Sequence, residues 1–286
     1  MQADLASELL QTQLGRFPIQ IEKPEPLKFA WPIVVLPDLF TTTRHLSILV
    51  GYFASIGWEV IAPDLRAASA NLTPDDIAAT DFSAMVDRAV EALEAIDREA
   101  VVLGHGMGGL IALKLAERVR IKAGVAIAPL LPGFRSPLFM GGIGNLIARF
   151  RAKPLSPPTG RRLFDLLADA DTYQRGNAIA TMVAGETKAA LEIARGDISF
   201  ARECPTPRLI VAGEVDKFAP LAETRIFAES IGVKLARIPG RGHWLIGGRA
   251  LERTINETQR FLVRSLGQDL LLLYPEEWKN DPDRQE

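Results

Sequence analysis

The chain has 286 residues, 48% of them hydrophobic, with a formal net charge of −2 and a pI near 6.0. That length can bury one large core, the balanced charge gives no electrostatic case for a nucleic-acid partner, and no apolar run approaches the ~18 residues needed to cross a bilayer. The single cysteine, Cys204, excludes an internal disulfide and cysteine-pair metal sites, and a soluble, cytoplasmic protein is expected.

In chain order, "MQADLASELLQTQLGRF" carries an early acid, lacks a basic-then-apolar signal pattern, and is expected to form a short amphipathic helix. "PIVVL" (32–36) reads as a strand followed by a helix from Arg44 to Ser55, and "WEVIA" (58–62) as a second strand. Thr73-Pro74-Asp75-Asp76 has helix-start chemistry. Phe82, Met85, Val86, Ala89, Val90, Leu93 and Ile96 recur at helical spacing. "AVVL" (100–103) reads as a buried strand with a helix from Leu110 to Glu117 behind it, and "AGVAIA" (123–128) as another strand. After a break, "RLIVA" (208–212), a helix over Leu221–Ser230, "VKLARI" (233–238) and a helix from Arg249 to Ser265 resume the alternation. Apolar strands separated by helices imply an α/β fold, a mostly parallel sheet covered on both faces.

Residues 131–205 break that rhythm. They are rich in Pro, Gly and Arg, with helical fragments in "GNLIARF", "GRRLFDLLADA" and "NAIATMVAGETKAALEIA". The expected organisation is a core of 1–130 and 206–286 with a helical cap inserted at 131–205. The tail "EEWKNDPDRQE" is polar and reads as a loose end.

Four short stretches carry chemistry. "VVLPDLF" (34–40) is a strand and its turn; "GHGMGG" (104–109) is a strand-to-helix elbow; "AGEVDKFAP" (212–220) puts Asp216 in a turn after a late strand; "PGRGHW" (239–244) puts His243 in a loop after the next. In sequence and order these resemble the α/β-hydrolase superfamily, whose elbow reads "GHSMGG", over about Pro32 to Ser265. The resemblance implies a Nu-Asp-His triad at positions 106, 216 and 243, with oxyanion-hole N–H groups from Leu39 and Met107. The physical logic stands beside it. A carboxylate fixes the tautomer of a histidine and stabilises its charged form, and loops after parallel strands meet at one edge of the sheet. His105 reads as a packing or hydrogen-bonding neighbour of the elbow and His45 as a structural or rim-lining residue. Asp38, Phe40, His105 and Phe139 are expected around a substrate pocket, with Leu138, Met140, Ile143, Leu146 and Ile147 as roof or as plain core. Arg149, Arg151, Arg161 and Arg162 read as a solvated face or as anion-facing charges.

Two positions depart from the family pattern. Gly106 has no hydroxyl, so the acyl-enzyme route is closed. Asp38 follows Pro37 where "HG" is usual; an ionised carboxylate there would oppose a developing oxyanion, and a protonated one would instead donate a hydrogen bond. Three readings of Gly106 stay open: a serine hydrolase with its nucleophile trimmed, native chemistry by His243 and Asp216 on water or substrate, or a non-catalytic ligand-binding member of the fold. Retention of both Asp216 and His243 argues for chemistry. The activity the resemblance implies is hydrolysis of an ester-like or other carbonyl bond in a small, apolar substrate. No phosphate loop or dinucleotide fingerprint is present and the histidines lie far apart in sequence, so neither a cofactor nor a metal is expected.

Overall fold

The computed structural model describes residues 10–14, 16–66, 72–140, 153–267 and 270. Among them the strands are β1 (Leu10–Leu14), β2 (Phe17–Glu22), β3 (Ile33–Leu36), β4 (Val60–Pro63), β5 (Val101–His105), β6 (Ala123–Ile127), β7 (Arg208–Gly213) and β8 (Lys234–Ile238). They form one sheet in the order β1-β2-β4-β3-β5-β6-β7-β8. Strands β3 to β8 are parallel, and β2 runs against β4 on one side and β1 on the other.

Within the stretch expected to be an N-terminal helix, the described residues Leu10–Leu14 are strand, and residues 1–9 lie outside the described residues. Buried Phe17 and Ile19 alternate with exposed Pro18, a period of two that seats β2 against β4. The remaining edge of β2 then pairs with β1 from Leu14↔Phe17 to Leu10↔Ile21. Helix propensity is a weak prior against such a template.

Strands β3 to β7 are buried along their whole length, as expected of strands covered on both faces. The covering helices are α1 (Ser47–Ser55), after a 3-10 turn at Thr43–Leu46, α2 (Pro74–Ala79), α3 (Phe82–Ile96) and α4 (Met107–Arg118). The Thr73 hydroxyl accepts the Asp76 N–H at 3.2 Å while the Asp76 carboxylate accepts the Thr73 N–H at 2.9 Å, the reciprocal cap its sequence suggests. In α3, Phe82, Met85, Val86, Ala89 and Ala92 are buried, and the Asp81 carboxylate caps the start. Leu103, fully buried in β5, is a measure of this packing. Leu103→Ala is expected to cost about 2–5 kcal/mol through lost burial and a residual cavity, read as a lower urea midpoint at unchanged slope.

Between β6 and β7 the described helices are α5 (Pro137–Met140), α6 (Gly160–Leu166), α7 (Thr172–Thr181) and α8 (Thr187–Arg195). The stretch "NAIATMVAGETKAALEIA" is not one helix. It breaks after Thr181, where Gly185 bridges Leu155 and the Val183 N–H donates to the Phe40 carbonyl at 3.0 Å. "GNLIARF", with Ile143, Leu146, Ile147, Arg149 and Arg151, lies outside the described residues. The chain closes with α9 (Leu221–Ser230), a 3-10 turn at Gly248–Ala250, and α10 (Leu251–Leu266).

The strand order locates the site. From β3 the chain crosses to β4 on one side and returns to β5 on the other. Such a reversal opens a crevice at the carboxyl ends of the two strands. Asp38 follows β3 and Gly106 follows β5, while Asp216 and His243 follow β7 and β8.

Candidate active site

The elbow is built by glycines. Gly106 has φ +53° and ψ −116°, in the region that side-chain-bearing residues rarely adopt. A Cβ at Gly104 would lie 1.9 Å from the Gly108 carbonyl oxygen, and one at Gly108 would lie 2.4 Å from that of Leu36. Strand β5, helix α4 and the turn after β3 therefore approach more closely than any Cβ permits.

Asp216 and His243 meet as their positions suggest. Asp216 Oδ2 lies 2.8 Å from His243 Nδ1, and both residues are buried. The N–H groups of Phe218 and Ala219 donate to Asp216 Oδ1 at 2.7 and 3.0 Å, which fixes the carboxylate from behind. That arrangement sets the histidine tautomer and leaves Nε2 directed into the site. Among the described residues Nε2 has no hydrogen-bond partner, and it lies 3.5 Å from Asp38 Oδ2.

Asp38 holds the unexpected position. Its Oδ1 accepts the Met107 N–H at 2.7 Å, the donor that the sequence assigns to an oxyanion. A Cβ at Gly106 would stand 1.9 Å from Asp38 Oδ1, 2.0 Å from Cγ and 2.4 Å from Oδ2. The carboxylate thus fills the space that a side chain on the elbow would occupy. Asp38 is only 3% exposed and belongs to the buried line Asp38, His243, Asp216, and it borders a small cavity of about 10 Å³ with Leu36, Met85, Met107 and Ile111.

The electrostatics follow from this line. Burial alone would push His243 down, but the charge and hydrogen bond of Asp216, followed by the nearby Asp38 carboxylate, raise it to about 10. For Asp38, burial pushes up, and His243, the charge of His105 and the Met107 N–H together bring it below the ordinary carboxylate value. His105 is pushed down to about 4, first by burial and then by the positive charge of His243. At neutral pH, His243 is an imidazolium between two carboxylates and His105 is neutral. A histidine raised by folding contributes stability that is complete below its unfolded pKa of about 6.5 and is lost as pH rises through the folded value. The urea midpoint is therefore expected to fall between pH 7 and pH 10, and His243→Gln to remove that component of the slope.

His105 is a hydrogen-bonding neighbour of the elbow. Its Nε2 lies 3.0 Å from the His243 carbonyl oxygen, and the two rings are 5.0 Å apart. Trp244 stands edge-on to both His105 and His45, at 5.9 and 6.3 Å, so the fold gathers three histidines that lie far apart in sequence. Ligand-type atoms of Asp38, His105 and His243 come within 4.8 Å of one another, a spacing that sequence separation alone does not reveal. His45 accepts the Thr42 N–H at Nδ1 (3.0 Å) and faces the Thr181 hydroxyl and the Ala178 carbonyl with Nε2, a structural role. A cavity of about 80 Å³ between α1 and α7 is bounded by His45, Tyr173, Gln174 and Trp244.

Leu39, the other expected oxyanion donor, is buried, and its carbonyl accepts from Arg66. Phe40, Leu138 and Phe139 are packed in the hydrophobic core, which is the plain reading of that stripe. Arg161 is exposed, and Arg162 only grazes the Pro137 carbonyl at 3.5 Å.

Two residue groups that the sequence does not reveal hold the loops. Arg66 donates to the Leu39 carbonyl, to the Thr41 carbonyl at 2.8 Å, and to both carboxylate oxygens of Glu186 at 2.5 and 2.7 Å. This clamps the turn carrying Asp38 to the segment before α8. Asp169 accepts the Gly242 N–H at 2.6 Å and, through its carbonyl, the Arg249 N–H at 3.1 Å, which fastens the His243 loop to the segment after α6. Partners separated by 120 and 73 residues have no spacing signature.

The chain belongs to the α/β hydrolase family, whose sequence profile matches residues 33–257. No curated protein matches it in sequence. Among solved structures it is similar to a soluble variant of the monoglyceride lipase of Saccharomyces cerevisiae (TM-score 0.70, 16% identity, covering 87% of this chain and 92% of that one). It is also similar to the monoacylglycerol lipase of Paleococcus ferrophilus (0.65, 18%, 87% and 99%) and to a thermophilic esterase of Thermogutta terrifontis (0.60, 18%, 86% and 94%). At these identities the likeness is one of fold. No helix of the described residues is long and apolar enough to cross a membrane.

Proposed function

We propose that this chain is a hydrolase of an ester-like or other carbonyl bond in a small-molecule substrate, working without a nucleophile on its elbow. The observation that carries the reading is the buried line Asp38, His243, Asp216 at the carboxyl ends of β3 and β5, where the strand order reverses. His243, oriented by Asp216, is the proton-transfer group, and residue 106 contributes no side chain. Water then takes the place of the serine hydroxyl as acyl acceptor. The described part of residues 131–205 serves as a cap over this edge of the sheet, held by Glu186 and Asp169.

Lipase and esterase activities among proteins of similar fold support the substrate class, although fold alone does not carry chemistry. A trimmed serine hydrolase is the weaker reading, because the volume of a side chain at 106 is already filled by Asp38. The test is a panel of p-nitrophenyl esters and lactones with the intact protein and its His243→Ala variant. Turnover that depends on His243 supports the reading. Turnover indifferent to His243, or unchanged ligand held equally by both proteins, overturns it in favour of a binding module.

A further inference from the structure

We propose that Asp38 is a catalytic residue: reaching from the turn after β3 into the space of a missing elbow side chain, its carboxylate takes the proton of the water that attacks the substrate carbonyl, while His243 protonates the leaving group. The inference rests on the hydrolase reading above and names the group that makes it work.

Three observations converge on it. The first is complementarity. A side chain at 106 and the side chain of Asp38 claim the same space, since a Cβ at 106 would fall 1.9 to 2.4 Å from the Asp38 carboxylate atoms. The second is orientation. Oδ1 is tied to the Met107 N–H at the start of the 12-residue helix α4, and the Asp38 N–H donates to the Thr41 hydroxyl at 2.8 Å, so the turn and the carboxylate are both fixed. The third is the pairing. Oδ2 faces His243 Nε2 across 3.5 Å, a separation too long for a strong hydrogen bond and short enough for a proton to be relayed after a small shift. A buried carboxylate is costly unless a function or a partner holds it. The charged and titratable groups that bear on this line are Asp38, His105, Asp216 and, behind the turn, Arg66.

The chemistry selects water over covalent attack. A carboxylate adding to an ester forms an intermediate from which the carboxylate leaves far more readily than an alkoxide, so the adduct reverts. With water, the oxygen–carbon bond forms as the water proton passes to Asp38 Oδ2. The carbon–oxygen bond to the alcohol breaks as that oxygen takes the Nε2 proton of His243. Asp38 then returns its proton to Nε2, and acid and alcohol leave. Atoms and charge balance as ester plus water giving acid plus alcohol, with no other reactant. The raised basicity of His243 means that it begins the cycle protonated.

The test uses Asp38→Asn, which keeps an oxygen for the Met107 N–H and removes the base. With p-nitrophenyl butyrate, kcat is expected to fall about 100-fold or more, with KM changed far less. Histidine NMR supplies a readout independent of turnover: the elevated His243 titration is expected to move down in Asp38→Asn, because one of its two carboxylates is gone. A single turnover in oxygen-18 water is expected to place the label in the product acid and none in the peptide carrying Asp38. Unchanged kcat in a folded Asp38→Asn protein overturns the proposal, as does label in that peptide, which makes Asp38 a covalent nucleophile. An unmoved His243 titration overturns the pairing itself. Loss of turnover in neither His243→Ala nor Asp38→Asn defeats the hydrolase reading, whereas loss in His243→Ala alone defeats only the role of Asp38.

Discussion

The double variant Asp38→Gly with Gly106→Ser is expected to react stoichiometrically with a fluorophosphonate probe, and Gly106→Ser alone is expected to stay unlabelled. The reason is steric and electrostatic at once. Alone, the new serine must place its Cβ 1.9 Å from Asp38 Oδ1 and adopt φ +53°, a conformation that costs of order 1–3 kcal/mol for a residue with a side chain. Either the carboxylate is driven out of its bond to Met107 or the elbow deforms. In the double variant the volume is vacated, the Met107 N–H is released to face an oxyanion, and His243 keeps Asp216 as its orienting partner. Labelling of Gly106→Ser alone would mean that Asp38 yields readily and that the chain is a serine hydrolase lacking only its hydroxyl. An inert double variant would mean that the acid and histidine are not placed for serine chemistry at all.

Substitution within the Asp216–His243 pair is the other large expected effect. His243→Ala is expected to reduce kcat for a reactive ester by about 10³-fold or more, since it removes the group that both gives and receives the proton. Asp216→Asn is expected to approach the same loss while leaving the residue's size unchanged, because an amide facing Nδ1 favours the wrong tautomer. The two losses should be far from additive, as expected of residues that act as a unit. Steady-state kinetics on the single and double variants check this. Additive losses would mean that Asp216 and His243 contribute separately and that their 2.8 Å contact is structural.

Much of this arrangement is written locally. The run "VVLGHGMGG" carries an apolar strand, glycines at the positions of closest approach and the onset of a helix, so the elbow is legible from one short stretch. Asp216 and His243 are legible for a related reason: each directly follows a strand, and parallel strands deliver their ends to one edge. Asp38 was visible as a departure from the family pattern but not as an occupant of the elbow's space, because that depends on how closely the turn after β3 approaches β5. Arg66, Glu186 and Asp169 could not be read at all, since nothing in a sequence marks partners that meet only through tertiary packing. The strand at Leu10–Leu14 was missed because its leucines satisfy a helical pattern equally well and the open edge of β2 decided the matter.

The two struts from the inserted segment carry a mechanical consequence. One runs from Glu186 through Arg66 to the turn bearing Asp38, the other from Asp169 to the loop bearing His243, and α7 lies between their origins in the chain. The 3.5 Å gap between carboxylate and imidazole is therefore the opening of a caliper whose arms are anchored outside the sheet. Its setting depends on residues 169–186 as well as on the strands that carry the two side chains. Because proton transfer depends steeply on distance, a repacking of that helix far from the reacting atoms would tune the reaction without altering a single group that takes part in it.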